Sequence, residues 1–165
     1  MNTIVSTTYF PTLPSEARIW IYQANRILTH EEVQEIQKQA NEFVRNWKSH
    51  EQPLCAQAEV IHRLFLIFAV DTTTVNPGGC SIDKQVHFVK SIQHHYGLNF
   101  FDRLSVAYMS DEQIYIEHIS TIAQKIKNNV FAKSTLIYDN SIHTLKELNN
   151  TWLKPAEQTW LKRYF

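Results

Sequence analysis

The segment Pro77-Gly78-Gly79-Cys80-Ser81-Ile82-Asp83 sets a freed backbone and a thiol directly before a helical, amphipathic stretch. A helix N-terminus presents N–H groups without intrahelical partners and about half a positive charge. Glycines ahead of it let a ligand reach the backbone, so the segment suits a phosphate or a carboxylate. The same field favours a thiolate, which makes Cys80 a candidate nucleophile. Asp83 opposes both readings, because its charge repels an anion and disfavours a thiolate. A structural reading also fits: the glycines turn the chain, Ser81 caps the helix, Asp83 in the first turn complements the dipole, and Cys80 is a small buried apolar filler. Gly78, Gly79, Cys80, Ser81 and Asp83 are the first candidate ligand-binding residues.

Three residues outside that segment have suitable chemistry. His50, in Trp47-Lys48-Ser49-His50-Glu51-Gln52-Pro53-Leu54, is a candidate general base or ligand. Beside Cys80 it would complete a Cys–His pair; as a structural residue it suits the negative end of the preceding helix. Asp71 and the Asp102-Arg103 step fall at strand ends or turns, and the Arg103 guanidinium matches a carboxylate or phosphate. A Walker loop needs Gly-x-x-x-x-Gly-Lys-Ser/Thr. Here Asp83 precedes Lys84 and Gln85 follows it, so the pattern fails at two required positions. The eight histidines do not suggest a metal site. His94 and His95 point to different helix faces, and His87 and His94 are two turns apart. Neither His-Glu-x-x-His nor Cys-x-x-Cys occurs. The expectation is no metal and no cofactor.

Composition narrows the function classes. Sixteen basic and sixteen acidic residues cancel among 165, so the excess of Lys and Arg that drives sequence-independent nucleic-acid binding is missing. Lys125, Lys127 and Lys133 are the nearest approach to a basic patch. Met1–Thr8 has neither a basic region nor an apolar core, which predicts no signal peptide. The longest apolar run, Leu64–Val70, falls far short of the roughly 20 residues a membrane helix needs. Cys55 and Cys80 then read as two free thiols in a cytoplasmic protein with no nucleic-acid or membrane partner.

The elements that must position these residues read as follows. Residues 17–26 form a first strand. Thr29 and Glu32 make a capping box, followed by a helical stripe of Val33, Ile36, Ala40, Phe43, Val44 and Trp47. Residues 56–71 are one long bent strand or a hairpin turning at His62-Arg63. Ile82, Val86, Val89, Ile92 and Tyr96 mark a second helix closed by Gly97. Strands follow at 103–109 and 113–117, then a third stripe through Ile119, Ile122, Ala123, Ile126 and Val130. A strand at 134–138 and a last helix from Ser141 to Trp152 lead into an aromatic tail, where Trp152, Trp160, Tyr164 and Phe165 anchor the C-terminus. The sum is one α+β domain over residues 1–165, a mixed or antiparallel sheet with about four helices packed on it. Its open strand edges leave room for a homodimer.

With these segments in view, the chain resembles a family of short, uncharacterised bacterial proteins. The shared pattern is Arg-x-Trp-Ile-Tyr (Arg18 to Tyr22), Trp-x-x-His with Pro-Leu (Trp47, His50, Pro53, Leu54), Gly-Cys-Ser-Ile-Asp (Gly79 to Asp83), Asp102-Arg103 and a tryptophan-rich end near Trp160. Members are often labelled "ABC transporter ATPase", and the resemblance implies nucleotide binding and hydrolysis. Two positions depart from the pattern: Glu51, where glycine is common, and Thr159 before the last tryptophan. From the residues themselves the leading expectation is a non-enzymatic binding protein. Its ligand would be a small anion, or a protein partner, near the Gly78–Asp83 helix start. The alternative is a thiol-dependent enzyme with Cys80 as nucleophile, His50 as base and Arg103 holding an acidic group.

Overall fold

The computed structural model describes residues 7–165. Residues 1–6, most of the N-terminal stretch read above for a leader, lie outside the described residues. The chain begins with β1 (Arg18–Gln23), α1 (His30–Asn46), β2 (Lys48–Ser49), β3 (Gln52–Pro53), β4 (Cys55–Ile61) and β5 (Phe65–Asp71). It continues through α2 (Gly79–Tyr96), β6 (Ser105–Ser110), β7 (Gln113–His118) and α3 (Ile119–Lys127). Then come β8 (Leu136–Tyr138), α4 (Leu145–Thr151), β9 (Leu153–Pro155) and two short 3-10 turns, Ala156–Gln158 and Trp160–Tyr164. The class is α+β, and every strand pair is antiparallel.

Local chemistry explains the element boundaries. The Thr29 hydroxyl accepts the Glu32 N–H at 3.1 Å, and the Glu32 carboxylate accepts the Thr29 N–H at 2.9 Å, closing the capping box of α1. Gly97 ends α2 in the left-handed region at φ 61°, where a β-carbon would be strained. Residues 56–71 form a hairpin. Ile61 faces Phe65 across the end, and His62 and Arg63 turn the chain at φ 55° and 54°.

Alternation along the strands sorts the molecule into layers. Leu66, Phe68 and Val70 of β5 face the helices: Phe68 packs against Phe43 of α1 and Phe88 of α2 with ring centroids 5.9 and 6.2 Å away. Phe65 faces the other way, 5.1 Å from Tyr138 of β8 and 4.7 Å from Trp152. Buried on both sides, β5 reads as an unbroken apolar run. One sheet, β1-β5-β4, therefore lies between the α1–α2 layer and a second sheet, β7-β6-β8-β9. The far face of that second sheet is closed by α3 and the C-terminal turns through Val106, Tyr108, Ile122, Ile137 and Leu161.

Several expectations need correcting. Two stacked sheets replace the one sheet expected, and the β2–β3 hairpin and β9 have no counterpart in the sequence reading. The last helix spans Leu145–Thr151 and not Ser141–Trp152. Asp139 draws in the N–H and hydroxyl of Ser141 as a turn, and Thr144 supplies the cap. Val130 lies beyond α3 and is 69% exposed, so it is no part of that helix's buried stripe. Of the tail, Trp152 is buried, whereas Trp160, Tyr164 and Phe165 are each more than a third exposed; Leu161 is the buried anchor. No helix among the described residues is long and apolar enough to cross a membrane.

Strand β4 forms one edge of its sheet. There the Gln37 side chain of α1 reaches down and uses both ends of its amide. It donates to the Ala58 carbonyl at 2.9 Å and accepts the Val60 N–H at 2.9 Å.

Candidate ligand-binding cleft

The N-terminus of α2 is built differently from the capped start expected. Helix α2 begins at Gly79 after Gly78, and no side chain caps it. Ser81 is not the cap. It is buried inside the first turn, where its carbonyl accepts the Trp47 indole N–H at 2.8 Å. Asp83 is exposed and lies past the first turn, which contains no acidic residue. Cys80 is exposed, not a buried filler. His50 sits with Glu51 in the tight turn between β2 and β3, both at positive φ. That turn brings His50 Nε2 to 3.5 Å from the point a β-carbon on Gly78 would occupy. His50 thus lies beside the positive start of α2. The Gly78 N–H donates to the Ser49 hydroxyl at 3.2 Å.

Asp71 ends β5, the central strand of the first sheet, opposite Cys55. The hydroxyl and N–H of Thr73 donate to its carboxylate at 2.7 and 3.0 Å and hold it below the usual carboxylate range. His50 and Gly78 are therefore neighbours at the start of α2, with Gly79 and Cys80 next in the chain. Arg103 is not among them. It follows the far end of α2, whose 18 residues extend about 27 Å at 1.5 Å per residue. The four-residue convergence of His50, Asp71, Cys80 and Arg103 does not form.

Arg103 lies instead on a cleft of about 490 Å³ between the end of β1, residues 100–106, the loop after β8 and the C-terminal turns. Ligand sites of small molecules commonly fall in this size range and in such junctions. Asn140 and Gln23 belong to a relay of hydrogen bonds among its walls. The Trp152 indole N–H donates to Asn140 Oδ1 at 3.0 Å, Asn140 Nδ2 donates to Gln23 Oε1 at 2.9 Å, and Gln23 Nε2 donates to the Ser105 carbonyl at 3.3 Å. An indole nitrogen can only donate, so the relay fixes which way both amides point. Each amide nitrogen keeps a second N–H beyond the relay.

The charges around the cleft are unequal. Asp102 spends one oxygen on the Leu104 N–H and the other on the Ser105 hydroxyl, both at 2.8 Å. These bonds hold it low and ionised, with burial opposing and His118 assisting. Burial pushes Asp139 up, but the Ser141 hydroxyl and the Lys154 ammonium, 2.9 Å away, outweigh it and leave Asp139 low. Both carboxylates are thus committed locally. Arg103 is exposed and, among the described residues, makes no ion pair. His143 adds a second nitrogen base to the lining. Among the described residues no three His, Cys, Asp or Glu side chains gather as a metal site.

No family model, curated protein or solved structure matches the chain. Sequence reasoning named Arg103 but missed Gln23, Asn140, Phe101 and His143 as its neighbours. Gln23 and Asn140 are 117 positions apart, and no spacing rule links residues that distant. The one local signal was Asp102-Arg103 itself, a charged step at the start of a strand.

Proposed function

We propose that the protein acts by binding a small anionic ligand in the Arg103 cleft, without covalent chemistry of its own. The observation that carries this reading is the unpaired guanidinium of Arg103 on a cleft whose two nearby carboxylates are already engaged. A guanidinium offers a planar fork of donors suited to a carboxylate or a phosphate. The fixed N–H groups of Asn140 and Gln23 add donors that need no reorganisation when a ligand arrives. Cys80 and His50 stand at the opposite end of α2, so no nucleophile and base face this cleft from that pair. Lys84 lines a separate groove with Phe43 and Phe88 between α1 and α2, which leaves Gly78-Gly79 without the lysine that a phosphate loop would employ.

The test is a titration of the isotope-labelled protein with inorganic phosphate and with acetate, followed by amide chemical shifts. The expected result is saturable shifts at Arg103, Gln23 and Asn140 that vanish in Arg103→Met. Shifts centred on Gly78–Ser81 and indifferent to Arg103→Met would move the site to the start of α2 and overturn this reading.

A further inference from the structure

The cleft holds more than a bare anion requires. Phe101 and Trp160 both line it, and each is 37% exposed, so two aromatic rings stand open beside the cation. Neither is loosely held. Phe101 packs edge-on against Tyr22, with centroids 5.7 Å apart, and the Lys90 ammonium lies 5.9 Å from its ring. Trp160 opens the last 3-10 turn between two buried residues, Thr159 and Leu161. The Thr159 hydroxyl donates to the Ala156 carbonyl at 2.8 Å and accepts the Leu161 N–H at 3.1 Å, which pins the backbone that presents the indole. Trp47 and Trp152 spend their indole N–H groups on hydrogen bonds; among the described residues those of Trp20 and Trp160 have none, and of these two only Trp160 lines the cleft.

A buried Trp usually finds a partner for its N–H, and rigid exposed rings are favoured where a ligand stacks. A positive group, two open rings and a pair of oriented amides on one concave surface describe a recognisable kind of ligand. We propose that the cleft takes a flat aromatic ring carrying one anionic group, a carboxylate or a phosphate. The anion meets Arg103, the ring rests against Trp160 and Phe101, and the spare N–H groups of Asn140 and Gln23 face polar atoms on its inner edge. The inference rests on the anion-binding reading above and narrows it to a ligand class.

The experiment compares matched pairs, benzoate against acetate and phenyl phosphate against inorganic phosphate, by amide shifts and by the Trp160 indole N–H signal. The ring-bearing member of at least one pair is expected to bind about tenfold tighter, the order of one aromatic stacking contact. The tighter of benzoate and phenyl phosphate identifies the anionic group. Trp160→Ala should reduce that advantage severalfold, leaving only what Phe101 supplies, while Arg103→Met weakens both members, with the melting temperature reporting that each variant is folded. Equal binding of ring-bearing and ringless anions at the cleft would overturn the ring inference and leave anion binding standing. An advantage undiminished in Trp160→Ala would also overturn it. No saturable binding by any of the four would remove both readings together.

Discussion

Glu51 has a φ of +67° in the two-residue turn that joins β2 to β3. Its neighbour His50 is also left-handed, at φ 50°. Such a turn matches the twist of a hairpin but wants glycine or asparagine, because a β-carbon there crowds the following carbonyl. Glu51→Gly is expected to stabilise the protein by about 1 kcal/mol, seen as a rise of a few degrees in melting temperature. An unchanged or lower melting temperature would mean that this turn carries no strain that matters to folding. The substitution also tests what holds His50 beside Gly78, since the same turn sets both.

At the scale of elements, α1 shows how a helix start becomes a pH-sensitive joint. Arg26 grips Glu32 with two hydrogen bonds of 2.8 Å, while the Thr29 N–H donates to the same carboxylate and the Thr29 hydroxyl accepts the Glu32 N–H. Arg26 foremost, with Thr29 assisting against a smaller desolvation, holds Glu32 down to about 2. A carboxylate held low stabilises the fold fully at pH values above its unfolded range near 4.3, and that contribution is lost as pH falls from there toward 2. Glu32→Gln should therefore lower the melting temperature at pH 7 and flatten its decline between about pH 5 and pH 2. Parallel curves for the two proteins across that window would refute the assignment. The capping box half of this joint was legible in the sequence because Thr29 and Glu32 are three residues apart, and so was Gly97 at the end of α2. Arg26 as partner of Glu32 was not, nor was the division into two sheets. That division depends on Phe65 and Phe68 facing different layers, which a uniformly apolar run conceals.

At the scale of the whole molecule, the stacking of two sheets between helical layers creates the cleft. Where β1 ends and β6 begins, Gln23 reaches across to the Ser105 carbonyl, and the gap beside that contact is what Arg103 and Trp160 border. Arg103 and Trp160 were visible singly, whereas Gln23, Asn140, Phe101 and His143 carried no signal; their meeting is a property of layers assembled from both ends of the chain. The aromatic tail illustrates the same point. Read alone it anchors a helix, yet the fold buries Trp152 and Leu161 and leaves Trp160 at the mouth of the cleft.

The Gln37 amide on β4 bears on how the protein behaves in a crowded solution. By donating to Ala58 and accepting from Val60, one side chain imitates a stretch of neighbouring strand and occupies the groups by which a second molecule would add itself to the sheet. Gln37→Ala should cost little in melting temperature yet bring concentration-dependent association and binding of an amyloid-sensitive dye on prolonged incubation. Sedimentation velocity over a tenfold concentration range checks this, and a variant that stays as monodisperse as the parent would show the edge to be protected by other means. On this account a single amide guards the β4 edge of the dissolved protein.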